Sequence, residues 1–101
     1  MPSFVHPDLK DVCLSAALHA LADPTRLEIV AALANCCAQL NSTASCPGTP
    51  KSTLSNHLGV LRAAGLVETQ AKGRDRMNRL RREEFDARFP GLLETVLANR
   101  G

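Results

Sequence analysis

The stretch KSTLSNHLGVLRAAGLVE, residues 51–68, decides the fold because a helical apolar stripe and an unusual polar face occur in it together. Leu54, Leu58 and Leu61 follow the spacing of one helix face, which predicts that this face packs on a core. Serine, threonine and asparagine are mediocre helix formers, yet they and basic residues fill most other positions. These residues are Lys51, Ser52, Thr53, Ser55, Asn56, His57 and Arg62. Such a face indicates a partner outside the helix.

The ends of this helix are marked by residue types that start and stop helices. Thr49 is a capping residue, and Pro50 after it suits the first helical position. Gly65 suits the left-handed position that ends a helix, and Leu66 is expected to fold back onto the last turn. We therefore predict a helix over residues 50–64, followed by a sharp and buried turn.

A basic hairpin is predicted after the turn. The segments LVETQ and RMNRL are strand candidates, and Gly73 in the intervening AKGRD suits a tight bend. A hairpin over residues 66–80 places Lys72, Arg74 and Arg76 at or near its tip. Residues 51–82 carry a net charge of +6, whereas the rest of the chain carries −4. A patch of one sign attracts a polyanion, and a solvated basic hairpin is the alternative.

Length and composition predict one small domain over residues 1–101, since the chain is 45% apolar. A domain of this size buries a modest core, so apolar terminal helices are expected to pack on a second copy. We find no signal peptide pattern and no apolar run of membrane-helix length, and we therefore expect a cytoplasmic protein without membrane contact.

Further helices are predicted on both sides of the central motif. Apolar residues recur at helical spacing over residues 9–21, and the segment ADPTRLEIVAAL starts a second helix with Asp23 as its cap. A last helix is predicted over residues 83–99, where Pro90 is expected to kink or restart it. The order helix, helix, helix, basic hairpin, helix predicts a mainly α fold with a small β-hairpin, an α+β winged helix-turn-helix.

This fold gives the polar helix face a function. In a winged helix-turn-helix, one helix enters the major groove of DNA and the hairpin reaches the adjacent backbone or minor groove. Asn56 is a candidate base reader, and Ser52 and Thr53 are candidate phosphate or base contacts. Double-stranded DNA is therefore the predicted partner.

A family resemblance supports this interpretation. The segments LADPTRLEIVAAL, STLSNHLGVLRAAGLVE and GRDRMNRL occur in this order and resemble the ArsR/SmtB group of winged-helix transcriptional repressors over residues 18–80. The resemblance implies a homodimer formed by helices 9–21 and 83–99, a recognition helix at 50–64 and a wing at 66–80. It also implies repression of an operon until an inducer weakens DNA binding. A two-fold dimer with two recognition helices then predicts an inverted-repeat operator.

The cysteines depart from the pattern of the metal-sensing relatives. Those relatives carry Cys-x-Cys before the recognition helix or an acidic and histidine set on the terminal helix, and residues 83–99 contain no histidine. Here Cys36 and Cys37 are adjacent in CCAQL, which is compatible with a short helical turn, and Cys46 follows in a long loop. Without a histidine, three thiolates suit a soft species such as arsenite better than tetrahedral zinc.

Three interpretations of Cys36, Cys37 and Cys46 stay open: a soft-metal or metalloid site, a redox or persulfide switch, and chemically passive residues. The cofactor is thus unknown, and none is expected to be required for folding. Cys13 lies on the apolar stripe of the first helix and is expected to be a packing residue rather than a ligand, although a dimer interface could bring it near a partner's thiol.

Other classes of function fit the sequence less well. An enzyme needs an activated nucleophile, an acid and base pair or a phosphate loop, and we recognise none. A winged helix that binds only proteins is an alternative, as is a DNA-binding regulator without thiol sensing. The basic charge concentrated over residues 51–82 favours DNA.

Overall fold

The computed structural model describes residues 4–35, 40–41 and 48–100. The elements in these ranges are a 3-10 helix (Leu9–Asp11), α1 (Leu14–Leu21), α2 (Pro24–Ala34), β1 (Leu40–Asn41), α3 (Lys51–Ala63), β2 (Val67–Lys72), β3 (Asp75–Leu80), α4 (Arg82–Arg88) and α5 (Leu92–Ala98). The predicted fold class, an α+β winged helix-turn-helix, is confirmed. Among the described helices, none is long and apolar enough to cross a membrane.

One hydrophobic core joins the helices to the wing. Helix α2 packs on α1, α3 and β3, and α3 also packs on β2. The core draws on the apolar stripes predicted from the sequence, and its largest fully buried apolar side chains are Phe85, Ile29, Leu61, Leu66, Leu93, Val30 and Val67. The polar face of α3 is therefore held on the outside by the burial of the opposite face.

Helix α3 begins one residue later than predicted. Pro50 occupies the N-cap with ψ 144°, which is extended rather than helical, so Lys51 is the first helical residue. Asp23 caps α2 as predicted, because its Oδ2 accepts the backbone N–H of Arg26 at 3.0 Å. The prediction of Thr49 as the cap and Pro50 as the first helical residue is therefore wrong for α3, whereas the predicted cap of α2 is confirmed.

The turn after α3 confirms the prediction made from Gly65. This residue has a φ of +76°, and its N–H donates to the carbonyl of Arg62 at 3.0 Å. The N–H of Leu66 donates to the carbonyl of Leu61, also at 3.0 Å, which completes a Schellman motif. A Cβ at Gly65 would lie 2.8 Å from Leu9 Cδ1, so the backbone approaches the 3-10 helix closely.

The prediction of one helix over residues 9–21 is wrong. Only Leu9–Asp11 and Leu14–Leu21 are helical, and Cys13 between them is an extended N-cap residue. Arg88 explains the break: its Nε donates to the carbonyl of Leu9 at 3.1 Å and its Nη2 to that of Val12 at 3.0 Å. Cys13 lies at the break and is exposed, so its predicted place on the apolar stripe of the first helix is also wrong.

The last segment forms two helices rather than one over 83–99. Helix α4 ends at Arg88 and α5 starts at Leu92, with Pro90 in the break as predicted. Gly91 has a φ of +76° and takes the N-cap position of α5. The rings of Phe85 and Phe89 lie 5.1 Å apart, and both are buried.

The hairpin is tighter than predicted, and the sheet has one more strand. Lys72 pairs with Asp75, so the strands are joined by Gly73 and Arg74 alone. Strand β1 pairs antiparallel with β3, which gives the order β1-β3-β2. A strand of two residues is too short to show a sequence period. The predicted helical turn in CCAQL lies outside the described residues except for its last residue, which belongs to β1.

Candidate nucleic-acid interface

The exposed face of α3 carries most of the residues that the sequence singled out. Leu54, Leu58 and Leu61 are 2%, 2% and 0% exposed, which fixes the rotation of the helix about its axis. That rotation leaves five predicted contact residues exposed: Lys51, Ser52, Thr53, Ser55 and Asn56. The predicted separation of a buried stripe and an exposed polar face is confirmed.

The wing presents cations beside this face. Lys72, Arg74 and Arg76 are all exposed, and they lie at the end of β2, in the turn and near the start of β3. Gly73 has a φ of +63°, which allows the two-residue turn that projects Arg74.

A cleft of about 450 Å³ separates α3 from the wing. Both elements contribute polar and basic side chains to it, and the lining residues are Asn41, Lys51, Ser52, Leu54, Ser55, Leu58, Arg62, Arg74, Asp75 and Arg76. Four of these side chains are cationic and one is anionic. The cleft is thus suited to an anionic backbone that lies along α3.

The basic charge of residues 51–82 is not spread evenly. Away from the cleft, Arg79 Nε lies 3.3 Å from Glu68 Oε1, and Arg81 Nη2 lies 2.6 Å from Glu84 Oε2. The hydrogen bond from Arg81 holds the pKa of Glu84 below its usual range. The net charge of residues 51–82 already counts Glu68 but not Glu84, so the pairing of Arg81 with Glu84 lowers the charge available to a ligand below +6.

Arg62 links α3 to the wing through a buried polar pair. Its Nη1 donates to Thr69 Oγ1 at 3.2 Å, and that hydroxyl donates to Asn78 Oδ1 at 2.7 Å. Thr69 and Asn78 face each other across β2 and β3, and both are buried. Burial, followed by the charge of Arg76, lowers the pKa of Arg62 below its usual value. Sequence periodicity did not reveal this network, since its members come from separate elements.

His57 faces α2 rather than the outer surface. Its Nδ1 lies 3.3 Å from Arg26 Nη1, and its Nε2 lies 3.9 Å from Asp23 Oδ2. Arg26 also donates from Nε to the carbonyl of Ala20 at 2.7 Å, so this arginine ties the end of α1 to α3. The half-buried ring therefore packs between α3 and α2, on the side of α3 away from its exposed polar face.

The predicted thiol site lies outside the described residues, because Cys36, Cys37 and Cys46 all belong to the undescribed ranges. Within the part of the chain that the structure describes, no three His, Cys, Asp or Glu side chains are grouped as a metal site. Cys13 is exposed, and a hydrogen bond with Ser15 at 3.3 Å lowers the pKa of its thiol.

Comparison with known proteins gives matches along most of the chain. A family model described as a helix-turn-helix domain matches residues 21–70, which include α2, α3 and the start of the wing. The chain is 33% identical to the HTH-type transcriptional regulator CmtR of Mycobacterium tuberculosis over 91 residues. That match covers 90% of this chain and 77% of the relative.

Solved structures agree in fold. A crystal structure of an ArsR family transcriptional regulator matches with a TM-score of 0.65 and 25% identity, over 86% of this chain and 84% of that one. The transcriptional repressor BigR from Xylella fastidiosa matches with a TM-score of 0.61 and 28% identity, over 73% and 76% of the two chains. These relatives are transcriptional regulators, and the similarity extends over the helix-turn-helix and its surroundings.

Proposed function

The chain belongs to the ArsR/SmtB-type family of winged helix-turn-helix transcriptional regulators, and from this premise we propose that it is a homodimeric repressor of an inverted-repeat operator. The observation that carries the proposal is the cleft between α3 and the wing, where an exposed polar helix face meets a cationic rim. The similarity to the repressor BigR supports the repressor part. An inducer would release the protein from DNA.

Helix α3 supplies the contacts to base edges in this proposal. Asn56 has both an amide donor and a carbonyl acceptor, which suits adenine in the major groove. Ser52, Thr53 and Ser55 are short, so the helix can approach the bases closely, and Lys51 at the helix start reaches a phosphate. We leave His57 out of the direct contacts because its ring nitrogens face Asp23 and Arg26.

The wing supplies contacts that do not depend on sequence. Lys72, Arg74 and Arg76 are exposed cations on a hairpin that flanks the cleft, and phosphate neutralisation by such residues releases counterions. Arg62 at the junction of α3 and the wing adds a further cation to the cleft.

A dimer would place two copies of this surface on one operator. Leu14 and Leu18 lie one turn apart on α1 and are 50% and 45% exposed, which is a costly arrangement for a lone chain. Val96 and Leu97 on the last helix are only partly buried. We propose that these helices form the two-fold interface, and a stable monomer in sedimentation at micromolar concentration would contradict it.

The inducer is proposed to act through Cys36, Cys37 and Cys46, which precede α3 in the sequence. A bond that draws these thiols together, by a soft metal, arsenite or oxidation, would shift the start of α3. Two recognition helices must match two grooves at a fixed separation, so a small shift lowers affinity. Serine at all three positions should preserve DNA binding and abolish the response to thiol-directed agents, whereas an unchanged response would show that the cysteines are passive.

Selection of duplexes from a random-sequence pool by the wild-type protein tests the function. We expect enrichment of an inverted repeat with half-sites about one helical turn apart or somewhat more, and an affinity that falls steeply with salt. The alternative, a winged helix that binds only proteins, predicts no enrichment and no salt-dependent duplex binding. A tight complex with an isolated half-site would count against the dimeric mode.

A further inference from the structure

An N-terminal strap, residues 4–7, lies against the outer edge of the wing. Strand β2 has β3 on one side only among the described strands, and the N–H of Thr69 on β2 donates to His6 Nε2 at 3.0 Å. Next to it, Arg81 Nη1 donates to the carbonyl of Pro7 at 2.9 Å. These two hydrogen bonds fix the strap to β2 and to the residue that follows β3, and Phe4 lies two residues before His6.

Phe4 contacts two arginines from opposite sides of the cleft. The Cζ of Arg62, on α3, lies 4.7 Å from the centroid of the Phe4 ring, and the Cζ of Arg76, on β3, lies 5.5 Å from it. Both distances are within the range of about 6 Å in which a ring face attracts a cation. One aromatic ring therefore links the end of the recognition helix to the wing.

The two guanidinium groups need such a link because they repel each other. Both guanidinium groups lie over the same ring, and burial, followed by the charge of Arg76, lowers the pKa of Arg62. The negative ring face offsets part of this repulsion. Stacking on the ring itself uses no N–H donor of either arginine.

We propose that Phe4 is a positioning residue for DNA binding, which holds Arg62 and Arg76 side by side so that both point into the cleft between α3 and the wing. His6 acts indirectly, because its hydrogen bond with Thr69 anchors the strap that carries Phe4. The ring itself touches no DNA in this proposal. The inference rests on the proposed binding of duplex DNA.

The test measures affinity of Phe4 variants for a duplex enriched by the wild-type protein and for a scrambled duplex of the same composition. Phe4→Ala should weaken binding to both about 3–10-fold, as expected for a lost cation–π link, and should lower the dependence on salt. Val5→Ala is the matched control, because Val5 lies in the same strap and is 83% exposed. It should bind as the wild type does.

Conservative variants separate positioning from simple packing. Phe4→Tyr keeps the ring and should restore wild-type affinity, whereas Phe4→Leu keeps apolar volume without a π face and should bind like Phe4→Ala. His6→Gln retains an acceptor for the N–H of Thr69, so it should bind better than His6→Ala. In an Arg76→Ala background Phe4→Ala should cost less than it does in an Arg74→Ala background.

Each outcome decides a different claim. If the wild-type protein binds no duplex, the proposed function fails, and the inference fails with it. If the wild type binds but Phe4→Leu matches it, packing explains the strap and the positioning role is overturned. Unchanged or tighter binding by Phe4→Ala overturns it equally. Circular dichroism of every variant verifies that the fold is retained.

Discussion

The two halves of the candidate interface share one apolar core but differ in their polar contacts. Helix α3 is seated by Leu54, Leu58 and Leu61, which are almost completely buried in the core. The wing enters the same core at its base, and it is also tied to α3 by polar contacts: the pair Thr69 and Asn78, and the guanidinium of Arg62. Apolar burial resists small changes at the surface, whereas hydrogen bonds can be altered one at a time. The polar contacts of the wing are therefore the part of the surface that single substitutions can change most selectively.

The largest loss of stability is expected when a buried leucine of α3 is shortened. Leu61→Ala should lower the free energy of unfolding by about 2–5 kcal/mol, because it leaves a cavity at a fully buried position. Urea denaturation at one fixed protein concentration measures this loss. Ser55→Ala on the exposed face of the same helix is the control, with an expected change within about 0.5 kcal/mol. Similar losses for both variants would show that the helix is not held by its apolar face.

The turn between the two halves should give the next largest effect. Gly65→Ala is expected to cost about 1–3 kcal/mol, because a residue with positive φ would also place its Cβ against Leu9. Gly73→Ala, at a φ of +63° with nothing near its Cβ, should cost only about 1 kcal/mol. Thermal unfolding compares the two variants: Gly73→Ala introduces backbone strain alone, and Gly65→Ala introduces backbone strain together with a clash. Equal losses would argue against the close approach at Gly65.

The polar contacts of the wing should contribute less to the free energy of unfolding than Leu61 or the turn at Gly65. Thr69→Val keeps the shape of the side chain but removes the hydroxyl that bonds Asn78 and accepts from Arg62, at a cost of about 1–2 kcal/mol. Amide exchange by NMR should show faster opening of β2 and β3 while the amides of α3 are unchanged. Thr95→Val on α5 is an exposed control. Uniform acceleration over the whole chain would mean that the wing is not a separately held unit.

This contrast also explains what the sequence could predict. Features that depend on neighbours in the chain can be predicted from residue types. They are the leucine stripe of α3, its end at Gly65, the cap at Asp23 and the hairpin at Gly73. The break before α1 depends on Arg88, far along the sequence, and helical spacing alone cannot show it.

The residues of the candidate site also fall into those that the sequence predicted and those that it did not. The exposed polar face of α3 follows from the position of the buried stripe, and the sequence predicted it. The orientation of His57 toward α2 and the contact of Phe4 with Arg62 depend on tertiary packing, so the sequence missed them.

A smaller effect is expected from pH, at the polar contact between α2 and α3. The backbone N–H of Arg26, followed in effect by His57, holds the pKa of Asp23 below its usual value. Its contribution to stability should be complete above the unfolded pKa of about 3.9 and lost as the pH falls through the lower folded value. Asn caps a helix without titrating, so the stability difference between wild type and Asp23→Asn should shrink in acid. A stability difference that does not change with pH would show that the charge of Asp23 does not stabilise the fold.

Helix α3 and the wing are proposed to form one DNA-binding surface in which α3 reads bases and the wing binds phosphates. Salt titration of duplex binding by Asn56→Ala and Arg74→Ala separates these two roles. Asn56→Ala should cost about 1–3 kcal/mol on the selected duplex and little on a scrambled one. Arg74→Ala should weaken binding to both duplexes alike and reduce the salt slope by about one. Wild-type binding that does not respond to salt, or two variants that both bind as the wild type does, would contradict the account.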